Sequence, residues 1–214
     1  MRDFPIFDTD YGISSLVLKE IPYKKHAFIH IRDVQPDGFD MHLKECVSFC
    51  RMAGAERIYA SGHERLKDYP LYTSVLEMRG QAVVDPQKLE CLFPVTEETV
   101  SRWRAIYNER MASVDNAATL EARDEPKILK SSGAYFIHRN GSLLGIGWME
   151  DTSLLAVASC VKGAGERVMN TILSLVEGAQ VTLEVASTNI KAIALYERLG
   201  FLCSKEVNKW YEIV

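Results

Sequence analysis

Long hydrophobic runs are missing from this sequence. No apolar stretch approaches the roughly 20 residues that a membrane helix needs. The start, Met1-Arg2-Asp3-Phe4-Pro5, has no apolar stretch of signal-peptide length, and acidic residues recur at Asp8 and Asp10. Cysteine is sparse and odd in number. Cys46, Cys50, Cys91, Cys160 and Cys203 show no CxxC spacing, which argues against a zinc site or a disulfide framework and for buried free thiols in a cytosolic protein. Excess charge of one sign is also lacking. A net charge of -4 gives no global push towards nucleic acid or an anionic membrane, and Lys24-Lys25 with the other amino-terminal cations forms no sustained basic stripe. The expectation is a cytoplasmic protein with neither a membrane nor a nucleic-acid partner.

What is present is an ordinary globular composition, 47% hydrophobic and 25% charged, over 214 residues. That length allows one ordinary domain plus a smaller one. From about Leu89 onwards the pattern reads easily. Thr96 can cap a helix with Glu97 and Glu98 in its first turn and Val100, Trp103, Ile106, Tyr107 and Met111 at helical spacing. Residues 116–132 are polar, with a short helix expected to break before Pro126. Asn140-Gly141 lies between Tyr135-Phe136-Ile137-His138 and Leu143 to Trp148, a hairpin signal because both turn residues tolerate positive φ. Leu154 to Val161 is a third strand. Lys162-Gly163-Ala164-Gly165 turns into a helix carrying Val168, Ile172, Leu173 and Val176. Then come a β-branched strand, Val181 to Val185, a helix, Asn189 to Leu199, and two closing strands, Phe201 to Cys203 and Trp210 to Val214.

The amino-terminal part reads as strands over Leu16 to Ile21 and Ala27 to Val34, a helix faced by Leu43, Cys46, Val47 and Cys50 that ends near Gly54, and strands over 57–60 and 72–78. Asp85-Pro86 has turn chemistry and marks the best boundary, giving a small α/β domain over 1–88 and a mixed α/β domain over 89–214.

Two segments carry chemistry. Leu183-Glu184-Val185-Ala186-Ser187-Thr188-Asn189 runs into Ala192-Ile193-Ala194-Leu195-Tyr196-Glu197-Arg198-Leu199-Gly200-Phe201, with Gly200 suited to a left-handed helix terminus. Upstream, Leu155 to Val161 ends in Lys162-Gly163-Ala164-Gly165-Glu166-Arg167 at a helix start. Small residues there let backbone N–H groups close around phosphate oxygens, and the helix N-terminus adds positive potential.

Together these segments closely resemble the GCN5-related N-acetyltransferase (GNAT) family. The first fills every fixed position of the family pattern L-x-V-x-x-x-N-x-x-A-x-x-L-Y-x-x-x-G-F. The second is similar to the pyrophosphate segment Arg/Gln-x-x-Gly-x-Gly/Ala, with Lys162 where Arg or Gln is usual, Arg167 in place of the last small residue, and Ser159 where Pro is common. The resemblance implies a GNAT fold: a mixed central sheet with splayed strands, flanked by helices. The preceding smaller α/β domain is either a degenerate half-repeat of that fold or an unrelated extension. It implies acetyl-coenzyme A as cosubstrate, held by backbone of Val157, Ala158 and Ser159, by a cradle of Lys162, Gly163, Ala164, Gly165, Glu166 and Arg167, and by Asn189. Arg167 is open between pointing outwards to bind a phosphate and narrowing the site.

Tyr196 matches the family's general acid, placed to protonate the leaving thiolate; a packed aromatic is the alternative. Glu184 is a candidate base because it alternates with Leu183 and Val185 and so faces away from their side of the sheet. Glu150 and Asp151 are weaker candidates, and salt-bridge or surface roles stand beside all three. Cys160 reads as a small buried residue before a covalent nucleophile, since no histidine lies near it in sequence. Trp148 and Tyr135 either line the acceptor pocket or pack the hairpin. The implied activity is transfer of an acetyl group directly to an amine of a small molecule or peptide, with no metal; the oligomeric state stays open, with a homodimer as the candidate assembly. The alternative is a coenzyme A-binding or scaffold protein with little catalysis, which Arg167 and the lack of an obvious base favour.

Overall fold

The computed structural model describes residues 5–214, so Met1 to Phe4, and the expectation placed on them, lie outside the described residues. The chain divides into two compact units: residues up to Ser74 together with Val207–Val214, and Val75–Glu206. The expected boundary at 88/89 therefore falls inside the second unit. The reason lies in backbone pairing, which a search for turn chemistry does not see.

The first unit contains strands β1 (Ile6–Thr9), β2 (Gly12–Val17), β3 (His26–Val34) and β4 (Arg57–Ser61), with a one-turn helix α1 (Ile21–Lys24) and a longer α2 (Phe39–Met52). Pro22 sits in the first turn of α1, so the segment expected to continue as a strand to Ile21 turns into a helix there. Strands β1, β2 and β3 pair antiparallel in sequence, and β3 pairs parallel with β4 at five consecutive positions, from His26↔Arg57 to His30↔Ser61. On α2 the residues Phe39, Leu43, Cys46 and Cys50 recur every three or four positions. They pack with Ala27, Ile29 and Ile31 of β3 and Ile58 and Ala60 of β4, the period-two positions of those strands. Two further strands contribute to both units because the division falls within them: β5 (Leu71–Gln81) and β11 (Leu202–Glu212). The last residues of β11 close the first unit's sheet, Tyr211 opposite Ala60 and Glu212 opposite Tyr59, antiparallel to β4.

The second unit continues with β6 (Cys91–Pro94), α3 (Val100–Met111), α4 (Glu125–Ser131), β7 (Ala134–Arg139), β8 (Ser142–Glu150), β9 (Ser153–Ser159), α5 (Gly165–Leu173), β10 (Gln180–Ala186) and α6 (Ile190–Arg198). Its strand order is β11-β5-β10-β9-β8-β7-β6. Asn140 and Gly141 both hold positive φ, 51° and 78°, as the β7–β8 hairpin requires. Helices lie on both faces of this sheet. On one, Val168, Met169, Ile172 and Leu173 of α5 and Tyr196 of α6 pack with Leu154, Val181, Leu183 and Val185. On the other, Val100 and Trp103 of α3 and Ile128 of α4 pack with Phe136, Ile146, Trp148 and Ala156. Gly145 and Gly147 of β8 let α5 approach closely: a Cβ on Gly147 would lie 2.7 Å from Ile172, and one on Gly145 would lie 2.7 Å from Val168 and 2.5 Å from the Ala158 carbonyl oxygen.

Several details differ from the sequence-based expectation. Helix α3 starts at Val100, capped at Thr99, and Thr96 forms the turn before it, its carbonyl accepting from Thr99 and Val100 N–H groups. Pro126 opens α4, where a missing N–H costs nothing, and the helix follows the proline. The two expected closing strands are one strand, β11, since the polar residues 204–209 carry no turn. Strand β6 was not foreseen; its four residues are too few to show a period.

Candidate functional site

Strands β9 and β10 run parallel but pair at only two positions, Thr182↔Ser153 and Leu183↔Leu154. A register shift between Trp148 and Met149 in the β8–β9 ladder lies beside the last paired residues. Beyond Leu154 the two strands part, and Leu155 to Ser159 on one side and Glu184 to Ala186 on the other line a cleft of about 600 Å³. The volume is that of a small-molecule site. Residues 183–186 alternate across the sheet: Leu183 and Val185 enter the core while Glu184 stays exposed at the cleft.

Two helices close one side. Gly165, the first residue of α5, and Val168 line the cleft, as do Asn189, Ala192, Leu195 and Tyr196 at the start and along the face of α6. Gly163 has φ +83°, the left-handed turn that only glycine adopts without strain. The helix it introduces leaves its first N–H groups without intrahelical acceptors and pointing out of the N-terminus. Asn189 is the N-cap of α6: its side-chain oxygen accepts from Ala192 N–H at 3.3 Å, which fixes where the helix starts and so where Tyr196 lies. Tyr196 is buried against Phe201, and burial pushes its phenol up to about 12. It is a protonated donor across the neutral range.

A further wall comes from α3 and the loop after it. Tyr107, Arg110 and Met111 line the cleft, followed by Val114 to Ala118. Thr188 Oγ1 donates to Asp115 Oδ2 at 2.7 Å, joining this loop to the β10–α6 turn. Lys191 also lines the cleft. The only signal available in sequence was the helical spacing of Tyr107 and Met111, which reads equally well as core.

The expected cofactor-binding residues divide. Val157, Ala158, Ser159, Gly165 and Asn189 lie on the cleft, as do the catalytic candidates Tyr196 and Glu184. Lys162, Gly163 and Ala164 form the turn leading into it. Glu166 and Arg167 belong to the first turn of α5, but their side chains are engaged elsewhere: Lys88 Nζ donates to Glu166 at 2.7 Å, and Arg167 Nη1 donates to Glu90 at 3.0 Å. Lys88 accordingly holds the Glu166 carboxyl below its usual range. Glu150 and Asp151 are exposed at the β8–β9 turn and do not line the cleft. Trp148 is buried, donating to Ser131 Oγ at 2.8 Å, and with Tyr135 it is hairpin packing. Cys160 is half-buried, and burial pushes its thiol up while Arg110 opposes the shift; a raised thiol is a poor nucleophile. All five cysteines are free, Cys46 and Cys50 buried on α2 and Cys91 and Cys203 exposed. Among the described residues no helix is long and apolar enough to cross a membrane.

The comparisons with known proteins bear on this unit. Residues 100–201 match the acetyltransferase (GNAT) family. Among solved structures, a GCN5-related N-acetyltransferase from Kribbella flavida aligns over 99% of this chain and 89% of its own, with 12% identity and a TM-score of 0.59. A GNAT-family acetyltransferase from Colwellia psychrerythraea aligns over 97% and 84%, with 12% identity and a TM-score of 0.52. A functionally unknown conserved protein from Staphylococcus epidermidis aligns over 99% and 94%, with 12% identity and a TM-score of 0.60. At such identities the likeness is one of fold. No curated protein matches the chain in sequence. The splayed parallel strands, the glycine turn and the Asn189–Tyr196 helix all fall within the matched segment, and residues 100–201 carry a GNAT acetyltransferase domain.

Proposed function

We propose that the chain is an N-acetyltransferase that takes acetyl-coenzyme A into the β9–β10 cleft and passes the acetyl group directly to an amine. The observation that carries this reading is the parting of β9 from β10 after two paired positions, with Tyr196 and Glu184 both on the gap. Parted strands leave backbone N–H and C=O groups of Val157 to Ser159 for a ligand instead of a neighbour, and such groups need partners. The first-turn N–H groups of α5, with Gly163 to Gly165 leading in, suit a diphosphate. Lys162, in the turn itself, and Lys191, on the cleft, are exposed cations.

The chemistry assigned to the chain's residues is proton movement. As the amine nitrogen forms its bond to the thioester carbon, the carbon–sulfur bond breaks and the sulfur gains charge. Tyr196 Oη donates a proton to that sulfur, and the high position of its phenol keeps the proton available at every pH where the protein is neutral to mildly basic. Glu184 accepts the proton that the amine sheds, directly or through one water. The acceptor enters on the side walled by α3 and residues 114–118.

Tyr196→Phe keeps the ring packed and removes the proton. It is expected to lower kcat about 100-fold or more with an unchanged dissociation constant for acetyl-coenzyme A, and Glu184→Gln to lower kcat/KM for the amine in the same range. Full activity in both variants would contradict the assigned roles. A second reading, a coenzyme A-binding protein with little turnover, is favoured by the side chains of Glu166 and Arg167 being tied elsewhere. It predicts coenzyme binding with no thiol release on any amine.

A further inference from the structure

The first turn of α5 is where the proposed function places the coenzyme diphosphate, and this inference rests on that reading. Two charged side chains lie in the turn, Glu166 and Arg167, directly after the cleft-lining Gly165. An arginine there has the reach and the forked donors to grip phosphate oxygens. It does not point to open solvent. Arg167 Nη1 lies 3.0 Å from Glu90 Oε1 and 3.5 Å from the Gln87 carbonyl.

Glu90 is fixed from two directions. Its carboxylate is almost fully enclosed, 8% exposed, and Arg139 Nε approaches the same oxygen at 3.7 Å. The segment that carries it is strapped to α5 by two buried side chains. Asn170 accepts from Asp85 N–H at 2.8 Å and donates to the Asp85 carbonyl at 3.0 Å, and Thr171 Oγ1 accepts from Glu90 N–H at 3.1 Å. Asn170 is 3% exposed and Thr171 is fully buried. Lys88 adds its bond to Glu166. Residues 85–90 are thus a platform held rigidly along α5; the Glu90 carboxylate is the side chain bonded to Arg167, and the Asp85 carboxylate lies near enough to feel the same charge.

We infer that Glu90 is a positioning residue of the coenzyme site: it holds the Arg167 guanidinium along the strap and away from the cleft mouth, leaving the backbone amides of the turn to bind the diphosphate. The clamp withholds from the diphosphate a long cation that stands at the last position of the family's small-residue cradle. It also weakens coenzyme binding below what the sequence could achieve, which eases release of the product thiol.

The experiment is a calorimetric titration of the full chain with coenzyme A, repeated with acetyl-pantetheine, which lacks the diphosphate. Glu90→Gln releases Arg167 and is expected to lower the coenzyme A dissociation constant about tenfold, with no change for acetyl-pantetheine. The double variant Glu90→Gln with Arg167→Gln is expected to return to the wild-type value. Glu90→Asp, which keeps the charge but shortens its reach, gives a smaller gain and serves if the amide variant folds poorly. An unchanged or weaker coenzyme A affinity in both Glu90 variants overturns the inference while leaving the acyl-transfer reading intact. An equal change for acetyl-pantetheine also overturns it, because the effect would then be on helix placement. Wild-type protein that binds no coenzyme A removes the reading beneath it.

Discussion

At the scale of single residues, the second unit's chemistry depends on what each side chain is already bonded to. Tyr196 has a buried ring and a proton that burial secures, whereas Glu166 and Arg167, adjacent to the same cleft, have their charges spent on Lys88 and Glu90. Sequence spacing places all three in the right neighbourhood but says nothing of the partners of Glu166 and Arg167, which lie 78 and 77 residues away in the chain. The first unit offers a separate residue-scale case. His42 is fully buried, with Nδ1 2.8 Å from Thr9 Oγ1 and Nε2 2.7 Å from Ser14 Oγ. Burial lowers its pKa below 6.5, with Glu45 and Asp8 opposing only in part. The ring is neutral in the fold, so the unfolded chain takes up a proton first as the pH falls. Stability should therefore be full above about pH 6.5 and drop below it, by up to about 1.4 kcal/mol per pH unit from this group. Urea midpoints of wild type and His42→Gln between pH 7.5 and 5.5 measure it: the variant is expected to be less stable but flatter, and parallel curves would contradict the assignment.

At the scale of elements, most of the helices and strands were legible because their periods are clean. The α2 face of Leu43, Cys46 and Cys50, the Asn140-Gly141 hairpin and the α6 repeat of Ala192, Leu195, Tyr196 and Leu199 each state their own geometry. The parts that were not legible have physical reasons. Pro126 is compatible with the end of one helix or the first turn of the next, and only packing of Ile128 decides between them. The residues of the cleft's α3 wall were not legible one by one, because aromatic and aliphatic residues at helical spacing look the same as wall or as core. The glycines of β8 belong here too. Gly145 and Gly147 read as hairpin residues, yet their missing Cβ atoms are what allow α5 to lie against β8 and bring its N-terminus to the cleft. Gly145→Ala would push a methyl group into the Ala158 carbonyl and Val168. It is expected to cost about 2 kcal/mol or more of stability and to weaken coenzyme A binding through the displaced β9, as thermal melts and titration of the variant would register. A variant with wild-type melting and binding would contradict this packing account.

At the scale of the whole molecule, the two units share one pattern of strands. Each has an antiparallel run of three, then a parallel neighbour, then an antiparallel strand supplied from the other half of the sequence: β1-β2-β3, β4 and β11 in the first, β7-β8-β9, β10 and β5 in the second. The two units differ in how long the parallel pair holds. In the first unit β3 and β4 stay paired for five positions, so no gap opens, and a short 3-10 turn (Glu64–Asp68) stands where the second unit has α6. In the second unit the parallel pair ends after two positions and the cleft begins. Among the described residues, the parallel pair thus opens into a cleft in the second unit and stays closed in the first. Strand β5 precedes the Asp85-Pro86 turn yet pairs with β10 from Val75 to Gln81, so that turn lies inside the second unit.

The account stands on the β9–β10 cleft being an acyl-coenzyme A site, and calorimetric titration of the full chain with acetyl-coenzyme A tests it most directly. The expected result is saturable binding of one equivalent per chain, followed by thiol release when a reactive amine is added. No heat of binding up to millimolar acetyl-coenzyme A would contradict it.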